Sequence, residues 1–197
     1  VKMMMQLCRK YQCAVHIVHL SSSGSLKIIE AAKKEGIPLT VETCPHYLYF
    51  SSENIAPHDT RFKCTPPIRE SANNELLWLA LKSGLVDLVV SDHSPAPPDL
   101  KCLDSGDFSK AWGGISSLQF SMPAFWTAAK KRGFKIEDVV KLMCENPASL
   151  IGYGKKKGKI APGYDADITI WDTELIFQVS DKIIRHRHYV TPYLGEQ

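Results

Sequence analysis

The chain has 197 residues, 44% of them hydrophobic and 23% charged, with a formal net charge of +3. This balance excludes a disordered chain and supplies enough apolar material for a core, while so mild a positive excess argues against a nucleic-acid or membrane partner. There is no apolar run of about 18 residues to cross a bilayer and no secretory leader pattern, and the six cysteines contain no C-x-x-C pair that would indicate a zinc ribbon or a disulfide framework. Reduced thiols in an intracellular setting, the cytoplasm or an organelle, are expected. "KKR" at 130–132 and "KKKGK" at 155–159 read as solvated charge. The chain starts at Val1 in a helical pattern with no cap residue before it, as a fragment would.

Met4, Leu7, Cys8 and Tyr11 mark one face of a first helix, and "AVHIVHLSSS" then switches to a β-branched run. Leu26, Ile29, Ala32 and Lys33 line one side of a second helix with serines before it, Gly36 as its stop and Pro38 beyond. "LTVETC" follows as a strand. After a long polar connection, "NNELLWLALKSG" predicts a helix closed by Gly84, and "VDLVV" predicts a third strand. A Gly-rich loop, "AWGGISS", precedes helices predicted over 117–131 and 136–145, the second ended by Asn146-Pro147. The alternation of Asp167 to Asp172 predicts a half-buried antiparallel strand, so a boundary is placed between residues 1–157 and a small β element over 158–197. No repeat appears.

Helices alternating with apolar strands predict an α/β chain with a parallel sheet covered on both faces, either doubly wound or a (β/α) barrel. His19, His46 and Asp92 then sit where strands hand over to loops, the carboxyl edge at which such folds place ligands and chemistry. His19 and Asp92 end different strands and can converge: a neutral imidazole and a carboxylate suit an ion such as zinc, with an open position for an acidified water. The alternative is a satisfied core histidine and an aspartate capping the turn before Ser94-Pro95. His16, three residues before His19, belongs to the opposite side of the strand and is read as structural. His46 reads as a packing residue or a substrate-orienting one, and Arg69 as the partner of Glu70. Neither Cys64 nor Cys102 has an activating neighbour. Two ligands are too few for a working metal site.

The segments "VHLSSSGSLKIIEAAKKEG", "VETCPHYLYF", "KCTPPIRE", "VVSDHSPAPPDLK", "KAWGGISSLQF", "NPASLIGYGKKKGKIAPGYDADITIWD" and "RHRHYVTPYLGE" resemble, in the same order, those of allantoinases. These are metal-dependent cyclic amidases of the amidohydrolase superfamily, related to dihydroorotase and dihydropyrimidinase. The resemblance implies a (β/α)8 TIM barrel with a small β-sandwich, of which this chain is similar to the second half: about strands 6 to 8 with their helices and a piece of the sandwich. It implies a binuclear Zn2+ site in which His19 and Asp92 are metal ligands and Asp92 is the catalytic base. Cys64, Thr65, Gly113 and Gly114 would bind substrate through their main chain. The activity implied is opening of the allantoin ring to allantoate, in a homo-oligomer, a tetramer, when full length.

The family's His-x-His pair, its carboxylated lysine and a further histidine would lie before Val1, so the chain alone is expected to be inactive. With three strands where a barrel needs eight, it is also expected to expose sheet edges and to aggregate or require a partner. His93 is left without a ligand role, and Ala96 stands where the family commonly has cysteine. The other readings are a dihydroorotase- or hydantoinase-like cyclic amidase and a non-catalytic interaction module.

Overall fold

The computed structural model describes residues 1–197 and holds three parallel strands in the order β1-β2-β3. β1 (Val15–Ile17) follows helix α1 (Lys2–Tyr11), β2 (Leu39–Thr43) follows α2 (Leu26–Lys34), and the short α3 (Pro45–Tyr49) leaves β2 directly. After α4 (Ser71–Lys82) comes β3 (Leu88–Val89). Parallel neighbours cannot be joined by hairpins, so each crossover carries a helix. The predicted alternation is therefore present. Val15 pairs with Leu39 and Ile17 with Val41, while Glu42 and Thr43 pair with Leu88 and Val89.

The helices form where apolar side chains recur at helical spacing and can be buried. Met5 and Cys8 anchor α1, Ile29 and Ala32 anchor α2, and Leu77, Trp78 and Leu81 anchor α4. Gly36 and Gly84 carry the left-handed turns that end α2 and α4, with φ of 76° and 73°. α5 (Ser121–Lys130) packs Phe125 flat against Trp78, with ring centroids 5.4 Å apart, and the Arg132 guanidinium lies 4.8 Å from the Trp78 ring centre.

Three expectations change. β2 is not apolar on both faces: Leu39, Val41 and Thr43 are buried, but Thr40 and Glu42 share the other face with His16. The His16 ring meets Thr40 Oγ1 at 2.8 Å and Glu42 Oε2 at 2.9 Å, so polar groups there satisfy one another and His16 is structural as expected. The helix predicted over 136–145 does not stop at Asn146-Pro147. α6 (Ile136–Val140) widens into a π turn at Lys141–Glu145 and continues as α7 (Asn146–Leu150), because Pro147 falls in a first turn where its missing N–H is not needed.

The third change concerns residues 158–197, which hold no strand. Ile168 and Ile170 are 60% and 93% exposed, since a half-buried strand needs a ladder partner and no segment of this chain pairs with 167–172. The tail returns to the body instead, with Thr191 Oγ1 donating to Ser116 O at 2.8 Å and Tyr49 donating through its hydroxyl to Glu196 at 2.8 Å.

Asp87 stitches β2 to both neighbouring layers. Its N–H donates to Val41 O at 2.9 Å, one carboxylate oxygen accepts from Val41 N at 2.7 Å, and both oxygens accept from the Lys33 ammonium of α2 at 2.7 Å. Asp87→Ala leaves that ammonium and the Val41 N–H without an acceptor and is expected to destabilise the chain by about 1–3 kcal/mol. The check is a denaturant melt, in which an unchanged midpoint and slope would remove this role from Asp87.

Candidate metal centre at the carboxyl edge

Beyond the last ladder bonds the three strands do not splay apart. Leu20 N donates to Glu42 O at 2.8 Å, Thr43 Oγ1 donates to Leu20 O at 2.8 Å, and Val90 N donates to Thr43 O at 3.0 Å. His19 lies between the end of β1 and the Leu20 clamp, Asp92 lies just past the Val90 clamp, and both have left-handed backbone, with φ of 40° and 44°. Only a few per cent of non-glycine residues adopt such angles, and they gather at functional sites.

Cys44 and His46 complete the edge. Each of Cys44, His46 and Asp92 offers one ligand atom, and the three atoms lie within 4.8 Å of one another. His46 is 1% exposed, and neither of its ring nitrogens has a hydrogen-bond partner. The buried Nδ1 of His19 has none either. Burial pushes the His46 pKa down to about 3, with His19 adding to the effect, so the imidazole is neutral and holds a lone pair. Burial, reinforced by Asp92 and Glu42, raises the Cys44 thiol far above its ordinary value, so it stays protonated unless a cation takes the place of its proton.

Orphaned buried nitrogens are costly, and a thiol, an imidazole and a carboxylate facing one another are the donor set of a zinc-like ion. The residues fit a metal. Asp92 belongs to this group, while His19, two residues beyond β1 and expected to converge with Asp92, lies outside the group of three. Sequence reasoning left Cys44 without a role and His46 as a packing or orienting residue. The usable signal was "TCPHY", a thiol and an imidazole two positions apart at a strand end.

The segments predicted to line a substrate meet at this edge. The Tyr47 hydroxyl donates to Pro66 O at 2.9 Å and Ser21 Oγ donates to Pro67 O at 2.7 Å, which fixes the 63–68 loop over β2. Burial raises the Cys64 thiol to about 11, so it is no nucleophile. Gly113 sits so close to Thr65 that a β-carbon would overlap its hydroxyl, and one at Gly114 would overlap Ser94. His93 gains a structural role: its Nδ1 accepts from Ser117 N and Leu118 N, both at 3.1 Å, and it bridges to Ile115. A ring nitrogen that accepts two N–H bonds carries no proton, so in the neutral ring the proton is on Nε2. Arg69 pairs with Glu70 at 3.2 Å, as expected. All six cysteines are free, and no helix is long and apolar enough to cross a membrane.

The amidohydrolase family profile matches residues 2–192. Over 154 residues, 78% of this chain, it is 57% identical to "Allantoinase, mitochondrial" of Aquarana catesbeiana, covering 32% of that protein. It is 49% identical to "Probable allantoinase" of Oryza sativa subsp. japonica over 93% of this chain and 36% of that one, and 48% identical to "Allantoinase" of Streptomyces avermitilis over 95% and 41%. The L-hydantoinase (dihydropyrimidinase) of Arthrobacter aurescens superposes with a TM-score of 0.91 at 30% identity, over 98% of this chain and 43% of that one. The D-hydantoinase of a Thermus species gives 0.83 at 28%, over 97% and 43%. The chain thus spans well under half the length of these relatives.

Because the folded His46 pKa lies below that of an unfolded histidine, the unfolded chain binds more protons between pH 6.5 and 3. Stability in chelator is therefore expected to fall as pH drops through that window, and His46→Gln should flatten the fall. Melts of the two proteins with parallel pH dependence would show that His46 is not the titrating group.

Proposed function

The chain belongs to the amidohydrolase family, with its TIM-barrel-type fold, and on that premise we propose that it supplies the strand 6 to 8 part of an allantoinase active site. The observation that carries this reading is Asp92, held in left-handed backbone at the end of β3 within 4.8 Å of two further metal-type donors. The substrate follows from the relatives: those named allantoinase are 37–57% identical, whereas the solved hydantoinases and dihydropyrimidinases are 26–30% identical. The second reading, a hydantoinase- or dihydroorotase-like amidase, rests on that closeness of fold.

His19 and Asp92 would hold a divalent ion, zinc by the chemistry of the donors, with His46 and Cys44 close enough to share it. Such an ion acidifies water and polarises an amide carbonyl. The Asp92 carboxylate accepts the proton of the attacking water as a C–O bond forms at the ring carbonyl carbon. It then delivers that proton to the ring nitrogen as the C–N bond breaks, which balances allantoin and water against allantoic acid, and the new carboxylic acid ionises to allantoate by releasing a proton to solvent. Cys64, Thr65, Gly113 and Gly114 present main-chain groups to the ring. Asp92 thus needs a free oxygen, and the residue is only half-buried.

Residues 158–197 are assigned to the return segment of a small β-sandwich, and the exposure of Ile160, Ile168, Ile170 and Ile176 supports their packing against further chain. A homo-tetramer of the whole enzyme, with a small-molecule substrate and an intracellular location, belongs to the same reading; the Aquarana relative is named mitochondrial.

The test joins this chain to the preceding part of the Streptomyces relative and assays allantoin, hydantoin, dihydrouracil and dihydroorotate. Preference for allantoin supports the proposal, preference for another ring moves it to the second reading, and no turnover with metal bound leaves a non-catalytic module. In that protein Asp92→Asn is expected to lower kcat by about 10³-fold or more while retaining much of the metal. His19→Ala is expected to lose one metal equivalent by atomic absorption. Retained kcat in the first variant or retained metal in the second would withdraw the role assigned to that residue.

A further inference from the structure

Lys101 is the one lysine sealed inside the molecule, 2% exposed, and no carboxylate is bonded to it. Its ammonium donates to two main-chain carbonyls, Lys63 O at 2.7 Å and Trp112 O at 3.1 Å. Next to it, Trp112 N donates to Leu100 O at 2.7 Å, so the residues on both sides of the Leu100-Lys101 peptide grip Trp112. An apolar side chain would fill this space without the desolvation cost of a buried charge, so the two bonds are what account for a lysine here.

The two carbonyls are not arbitrary. A peptide unit is planar and trans, so the C=O of Lys63 and the N–H of Cys64 point in opposite directions, as do the C=O of Trp112 and the N–H of Gly113. Drawing both carbonyls onto one ammonium turns the N–H groups of Cys64 and Gly113 away from it. Neither N–H has an acceptor in the protein, although Cys64 is buried and Gly113 half-buried. The two segments also touch, because Gly113 abuts the Thr65 hydroxyl and leaves no room for a β-carbon.

We propose that Lys101 is a positioning residue that staples the 63–65 and 112–114 segments together and fixes the Cys64 and Gly113 N–H groups as donors to the oxygens of a bound cyclic amide. This rests on the amidase reading for the identity of the ligand and on the structure alone for the staple. Burial lowers the Lys101 pKa to about 8, consistent with an ammonium held for its geometry in an unfavourable setting. The charged and titratable groups around it are Lys63, Cys64 and Asp59, the last already paired with Arg61 at 2.6 Å.

Two measurements separate the staple from the amidase reading. In the isolated chain, amide hydrogen exchange of Lys101→Met is expected to accelerate at 63–66 and 111–115 and to stay unchanged in β1 to β3. In the enzyme assembled with the Streptomyces portion, the same substitution is expected to raise KM about tenfold with kcat and metal content little changed, and Lys101→Arg, which keeps charge and donors, to recover most of it. Unchanged local exchange or an unchanged KM overturns the proposal, as does a loss confined to kcat. If the assembled wild-type enzyme turns over no cyclic amide, the amidase reading fails and the exchange data alone decide the staple. Should Lys101→Met not fold, Lys101→Gln takes its place, and a KM equal to wild type in that variant again overturns the proposal.

Discussion

Glu42 and Thr43 close β2 with their carbonyls committed outward, one to Leu20 N and the other to Val90 N. A carbonyl at the end of a parallel strand is an acceptor that must be satisfied by a neighbour or by water. Here the neighbours are Leu20, directly after His19, and Val90, two residues before Asp92. The register of the sheet is thereby extended past its formal end, and everything at the carboxyl edge hangs from those two bonds. The Thr43 hydroxyl, which reaches back to Leu20 O, and Asp87, which ties β2 to α2, hold the same strand from its side chains.

With the strand ends clamped, the loops turn sharply, and this accounts for left-handed backbone at His19 and Asp92. Each such residue costs on the order of 1–3 kcal/mol and persists only where the surroundings overdetermine it. The neutral, unpartnered imidazole of His46 and the protonated thiol of Cys44 add a second cost of the same kind. Strain and unsatisfied donors gathered in one place are poor for stability and suited to a ligand. Away from this edge the packing is conventional, with Trp78, Phe125 and Phe134 forming an aromatic cluster beneath the helices.

The loops are arranged by polar side chains that contribute little apolar burial. Asn73 accepts from Ser23 N and donates to Ser21 O, His93 accepts two N–H bonds from the 117–118 turn, and Lys101 holds two carbonyls. Each bridges segments 24 or more residues apart or reaches across a loop, so none has a local spacing that a reader of sequence could detect. His93 was legible as a member of a motif, yet its bond partners were not.

Much of the architecture was nevertheless written in the chain. Helical spacing at Met4, Leu7, Cys8 and Tyr11 or at Leu26, Ile29 and Ala32, glycine stops at Gly36 and Gly84, and β-branched runs between them were enough to predict a parallel sheet and to put His19 and Asp92 at its carboxyl edge, although α1 turns Met5 and Cys8 inward and leaves Leu7 and Tyr11 exposed. These are short-range rules, set by the geometry of one turn or one pleat. The failures came where a residue's state depends on something distant. Asp167 to Asp172 has the alternation of a strand but no partner to pair with, Pro147 enters a helix because the preceding turn widens, and Thr40 and Glu42 face His16 instead of apolar neighbours. That Cys44, His46 and Asp92 converge was likewise decided by the tertiary structure, since only the register of β2 against β3 determines which side chains share the edge.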